Sequence, residues 1–228
     1  MVIQKSKNFI KKIPNYLTLM RVFLIPFFIV AYYLPWSFSN ILATSIFAIA
    51  CITDLIDGYL ARKLNVCSKF GAFLDPVADK IMVCVALILI VGSFSDVGNM
   101  VKELSVISAD GNSYIYEYSP IWATIVKYLL ICCSVVIISR EIVVSALREW
   151  MAEIGNRTKV AVSWIGKWKT TLQMLAIGGF IWKDNSLSWW NNWMIDASLL
   201  LMIIATVLTI WSMVNYLKAG ITYMEDEI

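Results

Sequence analysis

TDLIDGYLARKLNVCSKFGAFLDPVADK, residues 53–80, places four aspartates, Asp54, Asp57, Asp75 and Asp79, at the edges of two strongly apolar runs. Carboxylates are costly beside hydrocarbon and need a partner there. The runs themselves decide the fold. A bilayer is crossed by about 20 mostly apolar residues in a helix. Six segments fit, at roughly 15–35, 41–61, 73–93, 120–147, 160–182 and 194–217. The second is clean from Ile41 to Ile52, and its last turns carry Asp54 and Asp57. The fifth is interrupted by Lys167 and Lys169, and its dense part, Thr170 to Trp182, is too short alone, so its helix is expected to begin nearer Val160.

Composition agrees. Of 228 residues, 60% are hydrophobic and 15% charged, against about half and a quarter in a soluble domain. The expected fold is all-α: a polytopic membrane protein, a six-transmembrane-helix bundle with a cytoplasm-facing polar active site. Residues 1–228 read as one membrane-embedded domain, with a basic segment at 1–12 and an external loop at 94–119. Lys5, Lys7, Lys11 and Lys12 precede the first run as in a signal peptide, but no small-residue cleavage site follows, which predicts a retained span. The chain has no histidine, so acid–base or metal chemistry falls to carboxylates, lysine, tyrosine or thiols. The five cysteines lack CxxC spacing and four lie inside apolar runs, as small apolar residues do.

Lysine and arginine set the orientation. They crowd the N-terminus, the second-to-third link (Arg62, Lys63, Lys69), the fourth-to-fifth link (Arg148, Arg157, Lys159) and the end of the last span (Lys218). The 35–40 link has no charge, 94–119 has one lysine, Lys102, and 183–193 has Lys183. Both termini are therefore expected on the cytoplasmic side of the membrane. Trp36, Trp122, Trp182, Trp189, Trp190 and Trp193 then fall at the outer interface, where an aromatic belt belongs.

On this topology all four aspartates lie at the cytoplasmic ends of spans two and three. Asp54 and Asp57 are i, i+3 on one helix, and Asp75 and Asp79 are i, i+4 on the next. Each pair shares a helix face, and a short turn makes the helices antiparallel neighbours. Four converging carboxylates repel unless a cation sits among them. Oxygen-only ligation suits Mg²⁺ or Mn²⁺, and two ions about 3.5–4 Å apart would balance the charge and match phosphoryl chemistry. A purely structural role is the competing reading. Asp75-Pro76 has the form of a helix N-cap, and Asp54 and Asp57 could pair with Arg62, Lys63 or Lys80. Four aspartates on shared faces at membrane depth favour the metal site. Gly58 and Ala61 leave room beside it, for a ligand or for helix packing.

Residues 54–79 match D-x2-D-G-x2-A-R-x8-G-x3-D-x3-D at every fixed position: Asp54, Asp57, Gly58, Ala61, Arg62, Gly71, Asp75 and Asp79. The pattern resembles the signature of the CDP-alcohol phosphatidyltransferase family. That resemblance implies a two-metal site on the four aspartates, with Asp79 also the general base on an acceptor alcohol. It implies a CDP-diacylglycerol site formed by Asp57, Gly58, Ala61, Arg62, Ser68 and Gly71, together with Asn15, Thr18 and Arg21 of IPNYLTLMR. It also suggests a homodimer.

The signature does not name the acceptor. Arg140 and Arg148 of SREIVVSALREW lie two turns apart on nearly one face, about 12 Å along the axis. Lys167 and Lys169 of GKWKTT add two more cations near the same end of the bundle. Arginine forks fit phosphate oxygens, so the cluster suits an acceptor that brings its own phosphate. The competing readings are an Arg140–Glu141 pair and lysines that snorkel to headgroups. Lys167 and Lys169 are two residues apart and cannot share a face. PNYLTLMRVFLIPFF, FGAFLDPVADK, SREIVVSALREWMAEIG and VAVSWIGKWKTTLQM are similar to the bacterial branch whose acceptor is sn-glycerol 3-phosphate, from about residue 13 to 218, although 94–119 is longer than expected there. The implied reaction joins the phosphatidyl group of CDP-diacylglycerol to sn-glycerol 3-phosphate and releases CMP. Its partners are these two substrates and the bilayer, with no nucleic acid. Serine, inositol phosphate or phosphatidylglycerol would be the acceptor in a sister enzyme. An ion-coupled transporter would instead show polar breaks at mid-membrane and often internal repeats; neither is evident.

Overall fold

The computed structural model describes residues 13–36, 38–64, 77–78, 80–94, 120–153, 164–182 and 188–225. Among them are six helices and no strand: α1 (Ile13–Tyr33), α2 (Ser39–Leu64), α3 (Lys80–Phe94), α4 (Pro120–Glu153), α5 (Trp164–Ile181) and α6 (Ser188–Glu225). Prolines stand where a helix tolerates them, Pro14 in the first turn of α1 and Pro120 opening α4. Pro26 lies inside α1 and removes one backbone bond, which membrane helices accommodate.

Four helices are long and apolar enough to cross a membrane, with windows Tyr16–Tyr33, Ser39–Ile56, Thr124–Met151 and Trp193–Lys218. α3 is a shorter apolar helix, buried at Met82, Val83, Ala86, Leu87 and Ile90 and exposed at Ile81 and Ile88. Large apolar side chains such as Phe23, Ile52, Ile142 and Leu200 are exposed. Exposed apolar surface on this scale suits lipid rather than water. The protein is an all-α polytopic membrane protein. The link 94–119, beyond Phe94 itself, lies outside the described residues.

The chain forms two compact units, Met1–Leu89 and Ile90–Ile228. In the first, α1 packs on α2. Their buried faces recur at helical spacing, Thr18, Arg21, Ile25 and Phe28 on α1 and Ala43, Phe47 and Ala50 on α2. Phe28 meets Phe47 with ring centroids 6.0 Å apart, which fixes the register of the two helices.

In the second unit α6 packs against both α4 and α5. Trp122 Nε1 donates to Asp196 Oδ1 at 3.2 Å near the starts of α4 and α6. The Arg148 guanidinium lies 5.6 Å from the Tyr216 ring centroid near their far ends. α4 and α6 are therefore parallel. Gly179 of α5 faces Ser198 of α6: a Cβ at 179 would overlap the serine Oγ and sit 3.3 Å from its Cβ. Small residues let membrane helices approach this closely. Gly179→Ala is expected to lower the melting temperature in detergent by several degrees, the usual cost of overpacking. Ser198→Gly should restore it in the double variant. An unchanged melting temperature in Gly179→Ala would show that the two helices slip apart freely.

Candidate active site

α2 carries its buried face straight into the aspartate signature. Ala43, Phe47 and Ala50 are followed at the same spacing by Asp54, still within the apolar window, and α2 then runs on through 57–64. The antiparallel register set by Phe28 and Phe47 continues two turns further on both helices, where Arg21 Nη1 meets Asp54 Oδ1 at 3.0 Å. The same register puts Thr18, fully buried, level with position 57. The IPNYLTLMR face and the aspartate-bearing end of α2 are thus brought side by side.

The Arg21–Asp54 pair is lopsided. The Arg21 side chain is 2% exposed and the Asp54 side chain 37%. The arginine is locked between the helices and the carboxylate stands at the opening. Arg21 engages Oδ1, and a carboxylate has room for a further cation at its second oxygen. Asp54 therefore suits a metal-ligand role while its orientation is held from behind. The remaining signature residues are less fully placed. Ser68, Gly71, Asp75 and Asp79 lie outside the described residues, as do the side chains of Asn15, Asp57, Gly58, Ala61 and Arg62. Among the described residues no group of three or more His, Cys, Asp or Glu comes together.

The second unit builds a separate charged cluster between α4 and α5. Glu141 Oε1 accepts from Arg140 Nη1 at 2.5 Å and from Lys169 Nζ at 3.2 Å. Arg140 and Lys169 are buried, the lysine side chain 1% exposed, and Glu141 is partly open. Two buried cations share one carboxylate oxygen, which leaves one net positive charge and a surplus of N–H donors. The Arg140 Nε is buried and has no partner among the described residues. Unbalanced buried charge is costly, and an anion supplying several acceptor oxygens would complete the cluster. Of the two lysines, Lys169 is the one seen to point inward; the side chain of Lys167 lies outside the described residues. Arg148 is held over Tyr216, a cation–π contact, and is exposed.

Three features were not read from the sequence. Arg21 meets Asp54 from the neighbouring helix. Glu141 bridges to Lys169 as well as to its neighbour Arg140. Gln173 is buried one turn beyond Lys169. Its signal was present: Lys169, Gln173, Ala176, Ile177 and Phe180 follow one helical face.

The family model for CDP-alcohol phosphatidyltransferase matches residues 11–211, which takes in the signature and both charged clusters. The chain belongs to the CDP-alcohol phosphatidyltransferase family. A Haemophilus influenzae protein named CDP-diacylglycerol--glycerol-3-phosphate 3-phosphatidyltransferase is 47% identical over 95% of this chain and 97% of its own length. Proteins of the same name from Salmonella typhimurium, 44% identical over 91% of this chain and 94% of theirs, and Escherichia coli K12, 42% identical over 94% and 98%, are also similar. No solved structure matches the chain. Of the eight signature positions, Asp54, Asp57, Gly58, Ala61 and Arg62 fall on the end of α2.

Proposed function

We propose that this protein transfers the phosphatidyl group from CDP-diacylglycerol to sn-glycerol 3-phosphate, giving phosphatidylglycerophosphate and CMP. The observation that carries the reading is the near full-length similarity, at 42–47% identity, to proteins named for that reaction. The intact eight-position signature supports the chemistry, and the cation-rich α4–α5 cluster supports an acceptor that carries phosphate.

Members of this family depend on divalent metal. Asp54, Asp57, Asp75 and Asp79 would hold Mg²⁺ or Mn²⁺, as two ions, whose chemistry when bound is Lewis-acid neutralisation of pyrophosphate charge and lowering of a nearby hydroxyl's pKa. Asp79 takes the proton from the acceptor hydroxyl. The hydroxyl oxygen attacks the β-phosphorus, the bond from that phosphorus to the bridging oxygen breaks, and CMP departs with the electron pair. Gly58, Ala61, Arg62, Ser68 and Gly71 bind the cytidine nucleotide with Asn15, Thr18 and Arg21, and Arg62 helps to neutralise the leaving CMP. Arg140 and Lys169, with Arg148 and Lys167, bind the acceptor phosphate. The termini and the aspartates face the cytoplasm across the inner membrane, and the working form is a homodimer.

The test is CMP release by the purified protein in detergent, with CDP-diacylglycerol, Mg²⁺ and either glycerol 3-phosphate or a panel of other alcohols. Release that requires both the metal and glycerol 3-phosphate is expected. Release with serine or an inositol phosphate instead would overturn the acceptor assignment and keep the aspartate chemistry. Arg140→Ala and Lys169→Ala are expected to raise the KM for glycerol 3-phosphate by about tenfold or more, the size of a lost charge-assisted hydrogen bond. The KM for CDP-diacylglycerol should hardly move. Equal effects on both substrates would remove the cluster from acceptor binding.

A further inference from the structure

We propose that Gln173 is a specificity-determining residue, whose amide carbonyl accepts a hydrogen bond from the C2 hydroxyl of the glycerol 3-phosphate acceptor. The proposal rests on the acceptor reading given above and deepens it.

Gln173 follows Lys169 by one turn on the same face of α5, about 6 Å along the helix. It is 3% exposed. Its Oε1 is buried and has no hydrogen-bond partner among the described residues. Beyond it the face turns wholly apolar and buried, at Ala176, Ile177 and Phe180, so Gln173 is the last polar side chain on that face. Buried polar groups inside membrane helices normally find a partner. Here the helix carries, in order, a buried cation and then a buried carbonyl that lacks a donor among the described residues.

Glycerol 3-phosphate has the complementary order: an anion, then a hydroxyl on the next carbon. With the phosphate on Lys169 and Arg140, a neighbouring O–H satisfies the Gln173 carbonyl. Of the two hydroxyls, only the one at C2 suits this task throughout the reaction. The C1 hydroxyl loses its proton and becomes the new phosphoester oxygen, whereas the C2 hydroxyl keeps its proton and can donate from binding to release. A site built to hydrogen-bond a hydroxyl discriminates strongly against an analogue that lacks it.

The experiment compares glycerol 3-phosphate with propane-1,3-diol monophosphate, which keeps the phosphate and the attacking hydroxyl and lacks the one at C2. The wild-type protein should prefer glycerol 3-phosphate in kcat/KM by about tenfold to a hundredfold. Gln173→Met, similar in length and without the acceptor oxygen, should lose that preference, chiefly by losing activity on glycerol 3-phosphate. The ratio of the two rates on one preparation does not depend on how much of it is folded. Gln173→Ala supplies the same comparison if the methionine variant does not fold. A wild-type protein indifferent to the C2 hydroxyl, or a variant that loses activity on both acceptors equally and keeps the preference, would overturn the proposal and leave Gln173 as packing. Wild-type turnover with other alcohols but not with glycerol 3-phosphate would overturn the underlying acceptor reading, and is visible in the wild-type arm alone.

Discussion

Asp79→Asn is expected to lower CMP release by on the order of 10⁴-fold, at the upper end of what a positioned base contributes, while the protein still melts cooperatively in detergent. Asparagine keeps the shape of the side chain and one carbonyl oxygen. It loses the charge that would hold a metal and the basicity that takes a proton, so two losses fall on one residue. They can be told apart. A variant that has lost only metal affinity recovers as Mg²⁺ is raised, because binding is restored by mass action. A variant that has lost its base does not. The expected result is no recovery at tenfold higher Mg²⁺. Activity within tenfold of wild type would remove Asp79 from the role of base. Asp75→Asn, by contrast, should regain part of its lost activity in high Mg²⁺, since Asp75 is assigned to the metals alone.

Much of the fold was legible because hydropathy is a local property. The windows at Tyr16–Tyr33, Ser39–Ile56, Thr124–Met151 and Trp193–Lys218 each show their apolar character without reference to any other helix. The spacing that carries the α2 face from Phe47 to Asp54 is equally local, and so was the expectation that the aspartates end an apolar helix. Pairing is a different matter. Asp54 has an arginine and a lysine within ten residues, Arg62 and Lys63, yet the ion pair seen among the described residues is with Arg21, 33 positions back in the chain. The antiparallel register of α1 and α2, fixed by Phe28 on Phe47, makes that contact, and a register between helices is not written in either helix alone. The α5 lysines lie between these cases. Their spacing showed that only one could face inward. The face shared by Gln173, Ala176 and Phe180 chooses Lys169, a local pattern that was available in the sequence. That Glu141 would hold both Lys169 and Arg140 depends on α4 meeting α5 and was not available.

Breaking the Arg21–Asp54 pair from either side is expected to stop turnover, and the double substitution should restore stability without restoring activity. Asp54→Ala takes one carboxylate away from Arg21, which is 2% exposed. Removing one partner of a fully buried pair costs about 3–5 kcal/mol. With Asp54 itself 37% exposed, about 2 kcal/mol is the better expectation here. For a chain of this size that is a fall of roughly 4–8 °C in melting temperature. Arg21→Met leaves a carboxylate that water can reach, so its stability should change less, while its activity falls because nothing holds Asp54 in place from behind. Combining Arg21→Met with Asp54→Ala removes both charges of the pair, and replacing a buried ion pair with apolar groups is often neutral or better. The double variant should therefore melt close to wild type and release CMP no faster than Asp54→Ala. A double variant as unstable as the sum of the singles would mean that the two side chains do not interact, since non-additivity is the signature of contact. A stable double variant that still turns over would mean that the pair is structural and that the metals are held without Asp54.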